Sequence, residues 1–310
     1  MKRMINQSHL EGYLYEHKLE LRESGPNSKK PGTQFIMGTI DIATDDACVN
    51  IVPVHFTYVT ATTAKGATNA TFTTLMNIID GKYGTIMANG KDKAIKLRID
   101  SAIALNEFYV NNKNGIEELV SVKRNEGGFV HVADALAEDE TTRNTFKCDI
   151  LITGVKEVEA DEEKKLPAKA IIRGAIFDFR GALMPIEFSA VNPNAIKYFL
   201  GLDASNENPT FTCIWGRQIS ETIVKEIRTE SAFGEDEVRE VKNTRKDFVI
   251  TGAAKETYIW DDSSTLTAAE VAEAVAARET YLATIKQRQD EYKASKNAPA
   301  AAPIKSGFNF

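Results

Sequence analysis

The sequence predicts a mainly β chain: two tandem five-stranded barrels of OB-fold-like architecture, then a C-terminal α-helix and a flexible tail. Three observations predict it. First, anchors recur in order, with Pro53-Val54-His55-Phe56-Thr57-Tyr58-Val59 echoed by Pro185-Ile186-Glu187-Phe188-Ser189-Ala190-Val191. Upstream of each lies an alternating apolar segment holding a glycine, Gly38 or Gly174, and a later Phe-Val pair closes each copy, Phe129-Val130 and Phe248-Val249. Self-similar order of this kind is the mark of one unit used twice. Second, a short helical segment interrupts each copy at the same place. Third, the composition after about residue 262 changes to Ala, Glu, Gln, Arg and Lys. The expected units are 1–140, 141–262, a helix over 263–297 and a tail over 298–310.

The elements follow from local chemistry. Alternation over 11–22 predicts a long, bent first strand. The run Gly25-Pro26-Asn27-Ser28 is turn chemistry. Strands are expected at 34–43 and 49–60, and Phe72, Leu75, Met76 and Ile79 have helical spacing, with Gly81 to stop them. Residues 93–110 read as one long strand, followed by a turn and strands at 116–122 and 129–133. The second unit repeats this: strands at 146–158, 168–179 and 182–191, a helix over 193–200 capped by Asn192 or Asn194, a strand over 211–228, an acidic loop over 231–241 and a strand over 246–260. Thr265 and Thr267 precede Glu270, which predicts the start of a helix running to about residue 293.

At 310 residues the chain suits two domains, and 43% hydrophobic with 26% charged residues is the balance of an ordinary folded protein. The formal net charge of -6 excludes a wholly basic nucleic-acid coat but not a local basic groove. Cys48, Cys148 and Cys213 are distant and odd in number, which predicts reduced thiols and a cytoplasmic protein (host cytoplasm if the origin is a bacteriophage). No apolar run approaches the ~18 residues of a membrane span, and no apolar region follows the basic start, so neither membrane nor secretion is expected. No P-loop, His-Glu-x-x-His, Cys-x-x-Cys or Gly-x-Ser-x-Gly motif occurs, so no catalysis, cofactor or metal is expected.

The order strand, strand, strand, helix, strand, strand is that of the OB barrel. On Leu10-Glu11-Gly12-Tyr13-Leu14-Tyr15, Phe248-Val249-Ile250-Thr251-Gly252 and a terminus ending in Phe310, the chain resembles the OB-fold single-stranded-DNA-binding proteins, in particular tandem bacteriophage versions. The resemblance implies sequence-tolerant binding of single-stranded DNA in phage-type replication or recombination, with homo-oligomers an option. Phe308 and Phe310, two rings on a tail with no core of its own, read either as a short tip that docks replication or recombination proteins or as a plain chain end; tails of the family usually place acids before the last phenylalanine, where this one has Ile304-Lys305-Ser306-Gly307. The alternative is a β-rich virion or assembly protein, which would form discrete oligomers without nucleic acid.

A single strand offers base faces to rings and phosphates to cations. In an OB barrel the outer face of strands two and three, with the flanking loops, receives the ligand. The first unit supplies Lys29 and Lys30 in the one–two loop, Phe35 and Tyr58 on strands two and three, Lys96 and Arg98 on strand four, and Lys123 and Arg124 in the four–five loop. Alternation against Ile95, Leu97 and Ile99 points Lys96 and Arg98 outward. In the second unit Arg173, Phe177 and Phe179 share parity, with Arg180 just after them. Two readings stand for the phenylalanines: a stacking platform or core. Trp215 and Arg217 on strand four invite stacking and cation–π contact. Lys242, Arg245 and Lys246 are expected to echo Lys123 and Arg124.

Overall fold

The structure is a computed structural model that describes residues 4–160, 167–229, 233 and 237–297; the segments 221–229, 237–238, 240–245 and 295–297 are described by their backbone alone. The tail residues Phe308 and Phe310 lie outside the described residues. Two barrels form as predicted. In the first, β1 (Asn6–His17), β3 (Gln34–Ala43) and β4 (Ile51–Thr60) meander antiparallel, with a short edge strand β2 (Glu20–Glu23) on β3. Helix α1 (Ala70–Ile79) follows, then α2 (Ile86–Asn89), then the hairpin β5 (Lys96–Asn111) and β6 (Glu117–Val132). The barrel closes where β6 meets β4 in parallel and β5 meets β1 antiparallel.

The second barrel repeats the five main strands and the plugging helix, without counterparts of β2 and α2 among the described residues. Strands β7 (Asn144–Val158), β8 (Lys169–Phe177) and β9 (Leu183–Ala190) precede α3 (Pro193–Leu200) and the hairpin β10 (Thr210–Thr229) and β11 (Glu237–Ala253). Closure is again a parallel contact, Val249 with Ser189, and an antiparallel one between β10 and β7.

The repeat is one of topology more than of the matched motifs. His55 pairs with Glu126 as Ser189 pairs with Val249, and Ile51 stands across from Ala43 as Pro185 does from Ala175. Pro185 therefore takes the place of Ile51, not of Pro53. The shift is an even number of residues, so the face each side chain takes is preserved.

Alternation fills each barrel. Leu10, Leu14, Ile36, Ile40, Val54, Phe56, Leu97 and Ile99 make the first core, and α1 plugs it with Leu75 and Ile78. Phe146, Ile150, Ile172, Phe188 and Ile214 make the second, and α3 plugs it with Phe199. Each such side chain contributes about 1.5–3 kcal/mol on burial. Asn69 caps α1 by accepting from Thr71 N, and of the two candidates for α3 it is Asn192 that caps, accepting from Asn194 N. Gly38 has φ +127°, and a Cβ there would sit 2.0 Å from Lys18 O, so only glycine lets β3 coil this tightly.

Several boundaries differ from the sequence reading. The first strand starts at Asn6, because its N-terminal half is paired on both sides, with β5 and with β7. Strands β5 and β6 form one unbroken ribbon from Lys96 to Val132 around a turn at Asn112–Ile116; Asn112 Oδ1 accepts from Asn114 N and Ile116 N. β11 starts at Glu237, inside the expected acidic loop, and ends at Ala253 rather than at Trp260.

Antiparallel pairing of β1 with β7, centred near Ser8 and Phe146, joins the barrels across a local two-fold. Asn6 and Asn144 are its mates. Asn6 Nδ2 donates to Ile103 O, and Asn144 Nδ2 donates to Gln218 O. Each long ribbon leaves its own barrel and lies against the other. Ile103 and Leu105 of β5 pack into the second core. Gln218 of β10 enters a buried polar seam: its Nε2 donates to Ser8 Oγ, and its Oε1 accepts from Asn125 Nδ2 at 2.7 Å. Ser8 Oγ in turn donates to Asn125 Oδ1 at 2.7 Å, closing a ring of three side chains from both barrels.

Helix α4 (Ala268–Asn297) starts with a capping box in which Thr267 and Glu270 exchange bonds. Its first turns and the segment before them bury Leu266, Val271 and Ala274 on Leu151, Ala175, Phe177, Leu183 and Phe211, outside the second barrel. Its later turns follow the first barrel's ribbon. Arg278 pairs with Glu107, Gln289 exchanges two bonds with the backbone of Tyr109, and Lys286 and Lys293 pair with Glu117. Among the described residues, no helix is long and apolar enough to cross a membrane.

Candidate nucleic-acid interface

The outer face of the first barrel carries Phe35, Met37, Thr39 and Asp41 on β3, and Pro53, His55 and Thr57 on β4, by alternation against the buried residues. At its end Phe35 and Tyr58 form a ring pair, centroids 4.5 Å apart and planes 33° apart. Tyr58 has core parity yet is 52% exposed, because the bulge at Ile36–Gly38 shifts the register by one residue and gives the inward place to Val59. Its hydroxyl lies 3.2 Å from Ser24 Oγ at the neck of the loop that carries Lys29 and Lys30, both exposed. Ring platform and cationic loop are thus physically tied.

The middle of this face is less free. His55 Nδ1 is 3.0 Å from Thr39 Oγ1, and Lys246 of the second barrel, itself exposed, lies close enough to act on both His55 and Asp41. Burial holds His55 and His17 below the ordinary histidine value of 6.5. The unfolded chain therefore takes up protons first as pH falls through about 6.5. Stability is expected to decline from pH 7 to pH 5, and His55→Gln to flatten that decline. Urea midpoints across this range check it.

The second barrel's face is unequal to the first. Arg173 is exposed but paired at 2.7 Å with Glu187 directly across β9. Phe177 has the outward parity expected of it, yet it is fully buried, because the C-terminal helix roofs that end of the face. It is no platform for a ligand. Phe179 is 74% exposed in the following turn, with the Arg180 guanidinium 4.9 Å from its ring.

The four–five cations also depart from expectation. Lys123 and Arg124 are on β6, well past the ribbon's tip at Asn112–Ile116, because the strand runs unbroken through the expected loop. Lys123 Nζ donates to Glu187 O of the second barrel and sits 5.4 Å from the Phe248 ring. Burial pushes its ammonium below the ordinary value. Arg124 is paired with Glu126 at 2.7 Å, both largely buried. Lys123 thus fastens the barrels together, while Arg124 is held within its own strand. Lys242 and Arg245 are on β11 opposite Val224 and Glu221, and their side chains lie outside the description.

Strand four behaves as alternation predicts: Arg98 is exposed and Lys96 half-buried, with Lys96 Nζ 3.4 Å from Asp134 O, while Leu97 and Ile99 are buried. Trp215 is 41% exposed, and Arg217 donates from Nε to Asn144 Oδ1. Both border an open cleft of about 600 Å³ shared with Gln7, His9, Lys147 and Thr251. The sequence offered no reason to single out Lys147, since its position depends on β1 pairing with β7.

A family model described as YorF matches residues 5–288. The chain belongs to the YorF family. The match spans both barrels and most of α4, so the helix is part of the family's common unit. No curated protein matches the chain. Among solved structures it is similar to a deletion mutant of the single-stranded DNA binding protein from Thermus aquaticus, at 10% identity and a TM-score of 0.45, over 86% of this chain and 100% of that one.

Proposed function

We propose that this YorF-family chain binds single-stranded DNA with little sequence preference, by ring stacking and phosphate neutralisation, and does not cut it. A place in replication or recombination, of bacteriophage type, fits that activity. The observation that carries the reading is the Phe35–Tyr58 pair at the edge of an OB-like ligand face, tied to the Lys29–Lys30 loop. Rings offer any base a π-face, and lysines offer any phosphate a counter-charge, so neither discriminates sequence.

Fluorescence anisotropy with labelled thymidine and mixed-sequence oligomers tests it. Each neutralised phosphate contributes about −0.7 to the slope of log K against log salt, so a fourfold rise in salt weakens binding roughly 2.6-fold per contact. Similar affinities for both oligomers and a negative salt slope are expected. Absence of binding at low salt, or confinement to one sequence, would end the reading.

A further inference from the structure

Antiparallel pairing of β1 and β7 makes a single sheet surface across the junction, with strands in the order β6, β5, β1, β7, β10, β11. One face of it is neither barrel core nor seam. From the first barrel to the second it carries Phe129, then Arg98 and Asp100, then Gln7 and His9, then Lys147, then Trp215 and Arg217. Alternation places these on one side, opposite Ile99, Ser8, Phe146 and Gln218, which are buried.

Three features of this face point to a ligand. Rings stand at both ends: Phe129 is 69% exposed and Trp215 41%. Trp215 lies flat on its neighbour strand, since a Cβ on Gly252 would fall 2.3 Å from the indole nitrogen. Its outer side faces the open cleft. The charges between the rings are sorted as well. The carboxylates are engaged: Asp100 is 2.7 Å from His9 Nδ1, and Glu11 accepts from Ala137 N. The cations Arg98 and Lys147 are exposed and, among the described residues, form no ion pair with a carboxylate, while Arg217 donates to the Asn144 amide and lies near enough to Asp139 to favour its charged form.

We infer that this cross-junction face is a track for single-stranded DNA, on which bases stack at Trp215 and Phe129 and Lys147, Arg98 and Arg217 meet the phosphates between. The inference rests on the function proposed above and adds a second surface, remote from the Phe35–Tyr58 platform. The rings are four strand spacings apart, about 19 Å, room for several nucleotides. A self-association surface is the rival occupant. Its centre should be depleted of charge, whereas here the centre is Lys147, His9 and Arg98.

The test uses the full chain with Trp215→Ala and, separately, the exposed-site variant Lys147→Glu, against a labelled thymidine oligomer. Trp215→Ala is expected to weaken binding 5- to 150-fold, the loss of one stacked base. Lys147→Glu is expected to weaken it severalfold and reduce the salt slope by about one contact. Light scattering is run on the same samples. Wild-type binding with both variants unchanged overturns the track and leaves the proposed function standing. A wild-type chain that binds no oligomer overturns both. Unchanged DNA binding with loss of a wild-type oligomer in the variants assigns the face to a second copy instead, and also overturns the track.

Discussion

Arg278→Ala is expected to cost about 3–5 kcal/mol of stability, because it strands a buried carboxylate. The Glu107 side chain is only 2% exposed, and Arg278, 13% exposed, meets it with two nitrogens while also donating to Leu183 O. Without the guanidinium, Glu107 keeps Ser121 Oγ alone. The loss bears on architecture because Glu107 belongs to the first barrel's ribbon and Arg278 to the helix docked on the second. Their pair is the inner half of a clasp whose outer half is exposed Lys286 and Lys293 on Glu117, worth far less. Removing the stranded charge separates the two effects: Glu107→Gln added to Arg278→Ala is expected to recover most of the loss. Urea unfolding of the single and double variants measures the coupling. A loss below about 1 kcal/mol in Arg278→Ala would show that the ribbon is held by packing alone.

The same clasp explains why α4 lies where it does. Among the described residues, the second edge of β5 has no strand partner beyond Ser101; Asn6 satisfies the Ile103 peptide groups, and the row after it would invite pairing with another chain. Gln289 answers Tyr109 with both halves of its amide, accepting from the backbone N–H and donating to the C=O. Among the described residues, the second ribbon meets no such helix. The two barrels are thus alike in topology and unlike in how their ribbons are held.

That asymmetry marks the boundary of what could be read from the sequence. Alternation is a local signal, and it placed Leu97 and Ile99 inward and Arg98 outward correctly. Helical spacing and capping located α1 and α3 for the same reason. Parity even assigned Phe177 to the outer face; what it could not contain is the roof built by residues about ninety positions later. Lys123 failed similarly. Nothing near it in sequence says that its ribbon crosses to the other barrel, where Glu187 O and the Phe248 ring wait. The anchor motifs were informative about order but slipped in register. Selection for an apolar inward face constrains parity and leaves a two-residue slide almost free. Lys147 carried no signal at all, because its surroundings are created by pairing between β1 and β7.

Tyr58→Ala is expected to weaken single-stranded DNA binding by about 5- to 150-fold, corresponding to one base stack of 1–3 kcal/mol. Phe35→Ala is expected to act through Tyr58 rather than beside it. The two rings lie 4.5 Å apart, so they already cover each other on their inner sides, and Tyr58 is the more exposed of the two. One platform, not two, is then open to a base. The double variant should lose little more than Tyr58→Ala alone, a non-additivity that independent stacking sites would not show. Tyr58→Phe keeps the ring and drops only the contact with Ser24, so its affinity should stay close to that of the wild type. Lys29→Ala with Lys30→Ala should behave differently again, flattening the salt slope while leaving the high-salt, stacking-dominated affinity nearly intact. Full additivity of Phe35→Ala and Tyr58→Ala, measured by anisotropy at one salt concentration, would separate the rings into two sites and break the platform argument.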